Sequence, residues 1–306
     1  MWRRPMSDGK IVVTGLTKVY KTVRAVDDLS FTVEAGRVTG FLGPNGAGKT
    51  TTLRMLLNLV RPSGGTGTIG GQRYADLVDP IRHVGAILEA SGAHRGRSGR
   101  NHLRMLCIAG GLPVSRADEV LDMVGLTPAA KRKFKGYSLG MRQRLGIAAA
   151  LLGDPKVLIL DEPANGLDPE GIRWMRDLLK GLADEGRTVL VSSHLLSEME
   201  ILADDLVIIA AGKLVRQGTV AGIIDSMGAE QIRVRTPDAD GLVAALGEGV
   251  GVTRADDGAL RITGASRETI GDTALRAGVA IHELVVDRPD LENVFLQLTA
   301  GKADIR

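Results

Sequence analysis

The stretch GPNGAGKTT at residues 43–51 constrains the fold more than any other part of the chain. It follows a short apolar run at 38–42 and precedes a helical pattern of apolar residues at 49–60. Glycines in such a loop free backbone N–H groups to surround a phosphate chain, and the following helix adds its positive dipole. The spacing G-x-x-x-x-G-K-T is met by Gly43, Gly48, Lys49 and Thr50. We therefore predict a strand, a phosphate-binding loop and a helix, in which Lys49 reaches the β- and γ-phosphates and the Thr50 hydroxyl ligates Mg²⁺.

Two carboxylates follow a second apolar strand. The run VLILDEP at 157–163 is apolar until it reaches Asp161 and Glu162. The ligand of an open α/β sheet lies at the carboxyl ends of the strands, so both side chains are expected beside the phosphate loop. Asp161 can hold Mg²⁺ directly or through water, and Glu162 can orient and deprotonate a water that attacks the γ-phosphate. Taken alone, the pair could equally be a solvated strand end, and it is the phosphate loop that favours a function.

Buried strands alternate with helical segments through the first two thirds of the chain. Apolar or alternating runs predict strands at 10–14, 29–33, 38–42, 156–160 and 188–193, and a further strand pair around Gly67–Gly70 and Val84–Leu88. Residues 90–135 have a polar, helical pattern. This alternation predicts the α/β class, with a mostly parallel sheet covered on both faces.

The pattern changes after about residue 228. Short runs then follow in the order β-α-β-β-α-β with a closing helix, which is the order of a small α+β ferredoxin-like module. We place a domain boundary near Gly228, between a first domain at 1–228 and an accessory domain at 229–306. The accessory domain carries no chemical motif, so a scaffold or dimer-stabilising role is favoured over a ligand sensor.

Composition limits the possible partners and the compartment. Lys plus Arg total 39 against 36 for Asp plus Glu, and this net charge of +3 is too small to indicate a nucleic-acid partner. The one cysteine, Cys107, cannot form a disulfide within the chain, which fits a reducing cytoplasm. The N-terminal segment lacks the apolar run of a secretory signal, and runs such as LGIAAALL at 145–152 are too short to span a bilayer. We expect a cytoplasmic chain that does not cross a membrane.

Three further stretches complete an ordered set of motifs. YSLGMRQR at 137–144, LDEPANGLDP at 160–169 and SSHLLSEME at 192–200 follow the glycine-rich loop in that order. With this set, the chain resembles the ATP-binding subunit of an ABC transporter over about residues 10–218. The resemblance implies a P-loop NTPase domain with an antiparallel β part and a helical subdomain at about 90–145. It also implies ATP and Mg²⁺ as cofactors.

The resemblance assigns roles on the subunit's own nucleotide. Tyr20 would stack on the adenine, and His194 would contact the γ-phosphate and act with Glu162 and Lys49 in catalysis. Packed or solvated side chains are the alternatives for Tyr20 and His194. The loop would contact nucleotide along its whole length, through Gly43, Pro44, Asn45, Gly46, Ala47, Gly48, Lys49, Thr50 and Thr51.

Other roles concern a second subunit. Ser138 and Gly140 match the family's signature, whose hydroxyl and N–H groups at a helix start cap the γ-phosphate of ATP held by the partner. Gln143 lies further along that helix and is included among the nucleotide contacts. Asp168 matches the loop that crosses the dimer interface.

Two positions depart from the commoner family pattern. The signature has Tyr137 and Leu139 where the usual form is Leu-Ser-Gly-Gly, so one source of backbone freedom is lost while Gly140 remains. After the strand around 84–88, Glu89 stands where many relatives carry a glutamine that touches Mg²⁺ and the lytic water. A carboxylate can still ligate Mg²⁺, so Glu89 is retained as a candidate ligand, with a strand-end acid as the alternative.

The resemblance also implies partners. Two subunits, expected to be identical, would close on two ATP molecules and drive a separate polytopic membrane permease, so the chain would lie on the inner face of the cell membrane. YSLGMRQRLGIA and the ending DRPDLENVFLQLT resemble the bacitracin- and daunorubicin-resistance type of exporter, which implies export of a drug, an antibiotic or a lipid-like compound. The alternatives are an importer ATPase and a soluble ABC ATPase with a non-membrane partner. The basic loop at 92–100 could contact the permease or simply be solvated.

Overall fold

The computed structural model describes residues 9–88, 92–226, 231–247, 249–255, 257–287 and 290–300. The chain divides into two compact units, one that runs to Val220 and resumes at Phe295, and one at Ala221–Val294. The predicted boundary near Gly228 and the candidate ligand Glu89 both lie outside the described residues. Both therefore stay predictions.

The first unit consists of two sheets and the helices that cover them. Its strands are β1 (Ile11–Tyr20), β2 (Val23–Val33), β3 (Val38–Leu42), β4 (Gly64–Ile69), β5 (Val84–Ile87), β6 (Val157–Asp161), β7 (Thr188–Ser193), β8 (Asp205–Ala210) and β9 (Lys213–Thr219). Its helices are α1 (Lys49–Leu56), α2 (Gly99–Ala109), α3 (Arg116–Met123), α4 (Leu139–Leu151), α5 (Pro169–Asp184) and α6 (Leu196–Leu202), and α7 (Val220–Asp225) follows.

The larger sheet is mostly parallel, as the sequence predicted. Its strand order is β5-β6-β7-β3-β8-β9, and only the β8–β9 pair is antiparallel. Every residue of β3, β6 and β7 is buried, as expected for strands covered on both faces. Because β7 lies between β6 and β3, the carboxyl ends of these three strands are neighbours.

The smaller, antiparallel sheet has the order β2-β1-β4. Its hairpin is longer than the predicted strands at 10–14 and 29–33, since Tyr20 pairs with Val23 across a two-residue turn. Register shifts between Val13 and Leu16 interrupt the alternation of apolar residues, so the periodicity did not show how far these strands extend.

Two local predictions were wrong. The strands around 67–70 and 84–88 do not pair, because β4 pairs with β1 and β5 pairs with β6. Helix α1 ends at Leu56 and not near residue 60. Asn58 adopts a left-handed backbone (φ 57°), and the next N–H, that of Leu59, bonds to the Arg54 carbonyl at 2.8 Å, which closes the last turn.

The core of the first unit joins the two sheets through α1. Leu53 and Leu56 of α1 lie in one buried cluster with apolar residues of both sheets. Phe31 of the antiparallel sheet stacks on Phe41 of the parallel sheet, with ring centroids 5.3 Å apart. This packing fixes the position of the helix that follows the glycine-rich loop.

The helical region packs around Tyr137, one of the two departures from the family signature. The Tyr137 ring is buried beside Phe134, and its hydroxyl donates to the Ala129 carbonyl at 2.9 Å. Gly99 lies directly against this hydroxyl, where a Cβ would collide with it. Tyr137 is therefore a core residue of the helical region.

The second unit has the element order that the sequence predicted. It contains β10 (Gln231–Arg235), α8 (Ala239–Leu246), β11 (Gly251–Arg254), β12 (Leu260–Thr263), α9 (Arg267–Ala277) and β13 (Glu283–Asp287), and α10 (Leu291–Thr299) follows. Its antiparallel sheet, in the order β11-β12-β10-β13, buries one cluster that includes Val234, Leu242 and Ile262. In the described part of the chain, no helix is long and apolar enough to cross a bilayer.

Candidate functional site

The glycine-rich loop connects β3 to α1 in a conformation that requires glycine. Gly48, immediately before α1, has φ 100°, and a Cβ there would lie 2.5 Å from the Ala25 carbonyl oxygen. A Cβ at Gly43 would lie 2.5 Å from the Ile209 carbonyl oxygen. At both glycines the loop therefore packs tightly against the backbone of other segments. Its N–H groups continue into the first turn of α1, as an anion-binding loop requires.

Lys49 is buried inside this loop, with only 7% of its surface exposed. Its Nζ donates to the Gly43 carbonyl at 2.6 Å and to the Pro44 carbonyl at 3.4 Å. Burial lowers the pKa of the Lys49 ammonium, and the negative charges of Glu162 and Asp161 partly oppose that change. The side chain is thus a positive group held at the centre of the loop, where it can meet a phosphate chain.

Thr50 and Asp161 come together across 111 residues of sequence, as predicted. The Thr50 hydroxyl donates to Asp161 Oδ2 at 2.7 Å. The described residues contain no group of three or more His, Cys, Asp or Glu side chains that could hold a metal on their own. A hydroxyl and one carboxylate are oxygen ligands of the kind that Mg²⁺ prefers, with phosphate oxygens and water completing its shell. This pair therefore fits Mg²⁺ bound together with a nucleotide.

Ser192 belongs to the same cluster, although no role was predicted for it from the sequence. It is fully buried at the end of β7, in register with Asp161 of β6. Its hydroxyl donates to Asp161 Oδ1 and accepts the Glu162 N–H at 3.0 Å. The motif SSHLLSEME contained this serine, but only the strand register shows that it faces Asp161.

Glu162 follows β6 with a left-handed backbone, φ 50°, which is uncommon for a residue other than glycine. Its Oε2 lies 2.7 Å from Nδ1 of His194, which follows β7. His194 is 54% exposed and Glu162 is 23% exposed, so the pair faces solvent beside the buried Asp161. A carboxylate held by an imidazole can act as a general base toward a water molecule.

Gln143 occupies a different place from the predicted nucleotide contact. It is 3% exposed, and its Nε2 donates to the Glu162 carbonyl at 3.4 Å. Successive residues of a helix are about 100° apart, so Gln143 and Ser138 project from different faces of α4. The amide therefore supports the end of β6 from within the same chain.

Ser138 is the N-cap of α4, and its hydroxyl accepts the Met141 N–H at 3.2 Å. Gly140 packs on the loop that follows β6, since a Cβ there would lie 3.1 Å from the Gly166 carbonyl oxygen. Leu139 stays exposed between them. The signature thus presents a capped, accessible helix start on the surface of this unit.

Two further candidates lie on the surface. Asp168 is the N-cap of α5, where its carboxylate accepts the Gly171 N–H at 2.8 Å, a role that its position before Pro169 could have indicated. Tyr20 is 44% exposed at the end of β1, and Lys18 Nζ lies 4.8 Å from its ring centroid. Its ring is accessible for stacking.

Comparisons of sequence agree with this geometry. A profile of the ABC transporter family matches residues 26–165, and a profile described only as a domain of unknown function matches residues 230–292. The bacitracin transport ATP-binding protein of Bacillus licheniformis is 46% identical over 210 residues, which is 68% of this chain and 69% of that protein. The daunorubicin/doxorubicin resistance ATP-binding protein of Streptomyces peucetius is 37% identical over 310 residues, which is 97% of this chain and 94% of that protein.

Comparisons of structure agree as well. An ATP-binding subunit of an ABC transporter has a TM-score of 0.65 at 29% identity, covering 71% of this chain and 93% of that one. A dimeric ATP-binding cassette in a post-hydrolysis state with ADP and phosphate has a TM-score of 0.64 at 24% identity, covering 69% of this chain and 98% of that one, and it supports the fold alone. The chain therefore belongs to the ATP-binding, ATP-hydrolysing proteins of ABC transporters.

Proposed function

We propose that this ATPase powers export of a drug-like or antibiotic-like compound through a separate membrane permease. The observation that carries the proposal is similarity along almost the whole chain to a daunorubicin/doxorubicin resistance ATP-binding protein. Similarity to a bacitracin transport ATP-binding protein covers the nucleotide-binding part and points to the same class of cargo. The cargo itself would be selected by the permease.

In the proposed site, the glycine-rich loop wraps the phosphate chain of ATP and Lys49 donates to the β- and γ-phosphates. Thr50 and Asp161 hold Mg²⁺, which would neutralise charge on the phosphates when bound. The N–H groups that lead into α1 face the same anion, and the burial of Lys49 strengthens its attraction for phosphate by excluding water. Tyr20 stacks on the adenine.

Glu162 is the proposed general base. Its carboxylate accepts a proton from the attacking water, while His194 orients that carboxylate and contacts the γ-phosphate. Support comes from the 2.7 Å Glu162–His194 contact beside Asp161. Gln143 acts indirectly in this scheme, through the Glu162 carbonyl.

We further propose that two copies of the chain close head to tail on two ATP molecules. Ser138 and Gly140 of one copy would cap the γ-phosphate held by the other copy, and the loop at Asp168 would lie in their interface. The exposed, capped start of α4 supports this arrangement because its N-terminal dipole favours an anion. Closure would pass through the helical region to the permease at the inner face of the membrane.

For the C-terminal module we favour a scaffold or dimer-stabilising role over ligand sensing. Several of its charged residues form ion pairs that remain accessible to solvent, as in the Arg235–Asp257 and Arg235–Glu283 contacts. Exposed pairs of this kind are typical of a solvated face.

Co-purification tests the proposal. The variant Glu162→Gln, tagged and extracted from native membranes in mild detergent with ATP, should bring down one polytopic membrane protein in comparable amount. The matched variant is Glu283→Gln, in the C-terminal sheet. It should recover the same protein only weakly, because it still hydrolyses ATP and its ATP-bound dimer therefore opens again.

A different set of partners would overturn the transporter assignment. If ribosomal proteins or nucleic acid were recovered and no membrane protein, export would be excluded. The assignment of ATP hydrolysis would not be affected by that result. A membrane protein whose deletion leaves drug and peptide-antibiotic tolerance unchanged would exclude this class of cargo.

A further inference from the structure

We propose that Ser192 is a positioning residue for the Mg²⁺ site, because its hydroxyl fixes the orientation of the Asp161 carboxylate. The inference rests on the proposed Mg²⁺-ATP site. It concerns a buried serine on β7, 31 residues from the carboxylate that it contacts.

The direction of the hydrogen bonds around Ser192 follows from what each group can donate. A serine hydroxyl has one hydrogen and two acceptor lone pairs. The Glu162 N–H can only donate, so the hydroxyl accepts there, at 3.0 Å. Its single hydrogen is then free for Asp161 Oδ1, which it contacts at close range. One hydroxyl thus ties the side chain of Asp161 to the main chain of the next residue.

This contact decides which oxygen of Asp161 faces the nucleotide loop. Oδ1 is occupied by Ser192, and Oδ2 accepts the Thr50 hydroxyl at 2.7 Å. A carboxylate held at both oxygens cannot rotate about its Cβ–Cγ bond. Oδ2 is therefore kept beside Thr50, where the two oxygens would ligate the metal. Groups that orient a metal-binding side chain by hydrogen bonding to it have measurable effects on metal affinity.

Burial makes the contact costly to lose. Ser192 is fully buried and Asp161 is 8% exposed, so water cannot easily replace the hydroxyl as donor. Glu162 is less dependent on this hydroxyl, because its N–H also contacts the Ser192 carbonyl at 3.2 Å. Removing the hydroxyl should therefore affect Asp161 and the metal more than the backbone of Glu162.

The test compares Ser192→Ala with a matched removal of another buried hydroxyl, Thr39→Val. Thr39 lies in β3 of the same sheet, is fully buried, and has no hydrogen-bond partner for its hydroxyl in the described part of the chain. Binding of a fluorescent ATP analogue is measured in EDTA, and Mn²⁺ binding in the presence of the analogue is measured by electron paramagnetic resonance. The Mg²⁺ concentration for half-maximal ATP hydrolysis and the Tm without nucleotide complete the set.

We expect Ser192→Ala to bind the analogue in EDTA within about twofold of the wild type and to lose about tenfold in Mn²⁺ affinity. Its half-maximal Mg²⁺ concentration should rise by a similar factor, and Thr39→Val should change neither quantity. Unaltered Mn²⁺ affinity in Ser192→Ala would overturn the inference. The inference would also be overturned if Ser192→Ala lost as much affinity for the ATP analogue in EDTA as it lost for Mn²⁺. That result would indicate a general disturbance of the site, and we would then expect a lowered Tm as well.

The proposed Mg²⁺ site can fail separately. A wild-type protein whose ATP hydrolysis and nucleotide affinity do not depend on a divalent cation would refute that site. Metal-dependent wild-type hydrolysis with an unaffected Ser192→Ala variant would refute only the role of Ser192.

Discussion

The carboxyl ends of the parallel sheet and the outer face of the C-terminal sheet hold their charged groups in opposite ways. Beside the carboxyl ends of the parallel strands, Lys49 of α1 and Asp161 of β6 are buried, and they contact backbone carbonyl and hydroxyl groups. In the C-terminal sheet, Ile232 and Val234 point into the core while Arg233 and Arg235 alternate with them on the other face.

The two locations differ in whether their charged side chains are removed from water, which is energetically unfavourable. Burying a charged group costs free energy through lost hydration, and buried groups with shifted pKa values are concentrated at functional sites. The arginines of the C-terminal sheet instead pair with Asp257 and Glu283 on exposed surface, where ion pairs contribute little. We therefore expect catalysis at the carboxyl ends of the parallel strands and a structural role for the C-terminal sheet.

The strongest test of this comparison exchanges one carboxylate for an amide at each location. Glu162→Gln should lower kcat for ATP hydrolysis by about 10²–10⁴, because an amide cannot accept the proton of the attacking water. Glu283→Gln should keep wild-type kcat. A phosphate-release assay measures both, and light scattering should show an ATP-dependent dimer in Glu162→Gln. If Glu162→Gln kept more than a tenth of the activity, another group would have to be the base.

The next test removes one cation from each location. Lys49→Met should lower turnover by about 10²–10³, as expected when a preorganised donor to developing negative charge is lost. Its Tm without nucleotide should not fall, because burial disfavours the charged ammonium in the folded state. Arg235→Met should leave turnover unchanged. A strongly lowered Tm in Lys49→Met would show that the buried lysine stabilises the fold, contrary to this comparison.

A third test asks whether the C-terminal sheet supports ATP hydrolysis at all. Ile262 is fully buried in its core, so Ile262→Ala should destabilise that unit by about 2–5 kcal/mol. The control is Leu275→Ala, because Leu275 on α9 is 80% exposed and its removal should change the free energy of unfolding little. Denaturant unfolding gives the stabilities. Basal ATP hydrolysis should be unchanged in both variants, and a parallel loss in Ile262→Ala would contradict a scaffold role.

The smallest expected effect is a pH dependence. The hydrogen bond from the Ala259 N–H lowers the pKa of the Asp257 carboxyl, and the nearby charges of Arg233 and Arg235 act in the same direction. Desolvation of the Asp257 carboxyl acts in the opposite direction. A lowered pKa in the folded state means that this group's contribution to stability is complete above its unfolded pKa, about 3.9, and is lost as the pH falls through the folded value. Asp257→Asn should therefore flatten the acid side of the Tm profile slightly. An unchanged profile would indicate that these pairs are solvated.

The sequence predicted the nucleotide loop and the pair Asp161–Glu162 because their signals are local. The spacing of Gly43, Gly48 and Lys49 reflects one turn of chain around an anion, and the apolar run before Asp161 shows where a buried strand ends. Strand partners were harder to predict. The strands β4 and β5 were predicted to pair with each other, whereas β4 pairs with β1 and β5 pairs with β6.

Local patterns in the sequence were therefore enough to predict the class of fold, the phosphate-binding loop and the charged residues in and beside that loop. The contact of Ser192 with Asp161 and that of Gln143 with the Glu162 carbonyl were visible only in the folded structure. The physical reason is that local conformation depends on neighbouring residues, while strand order, register and the inward face of a helix depend on packing between distant segments. Because β7 lies between β3 and β6, the loop, the carboxylates and His194 meet at one edge of the sheet.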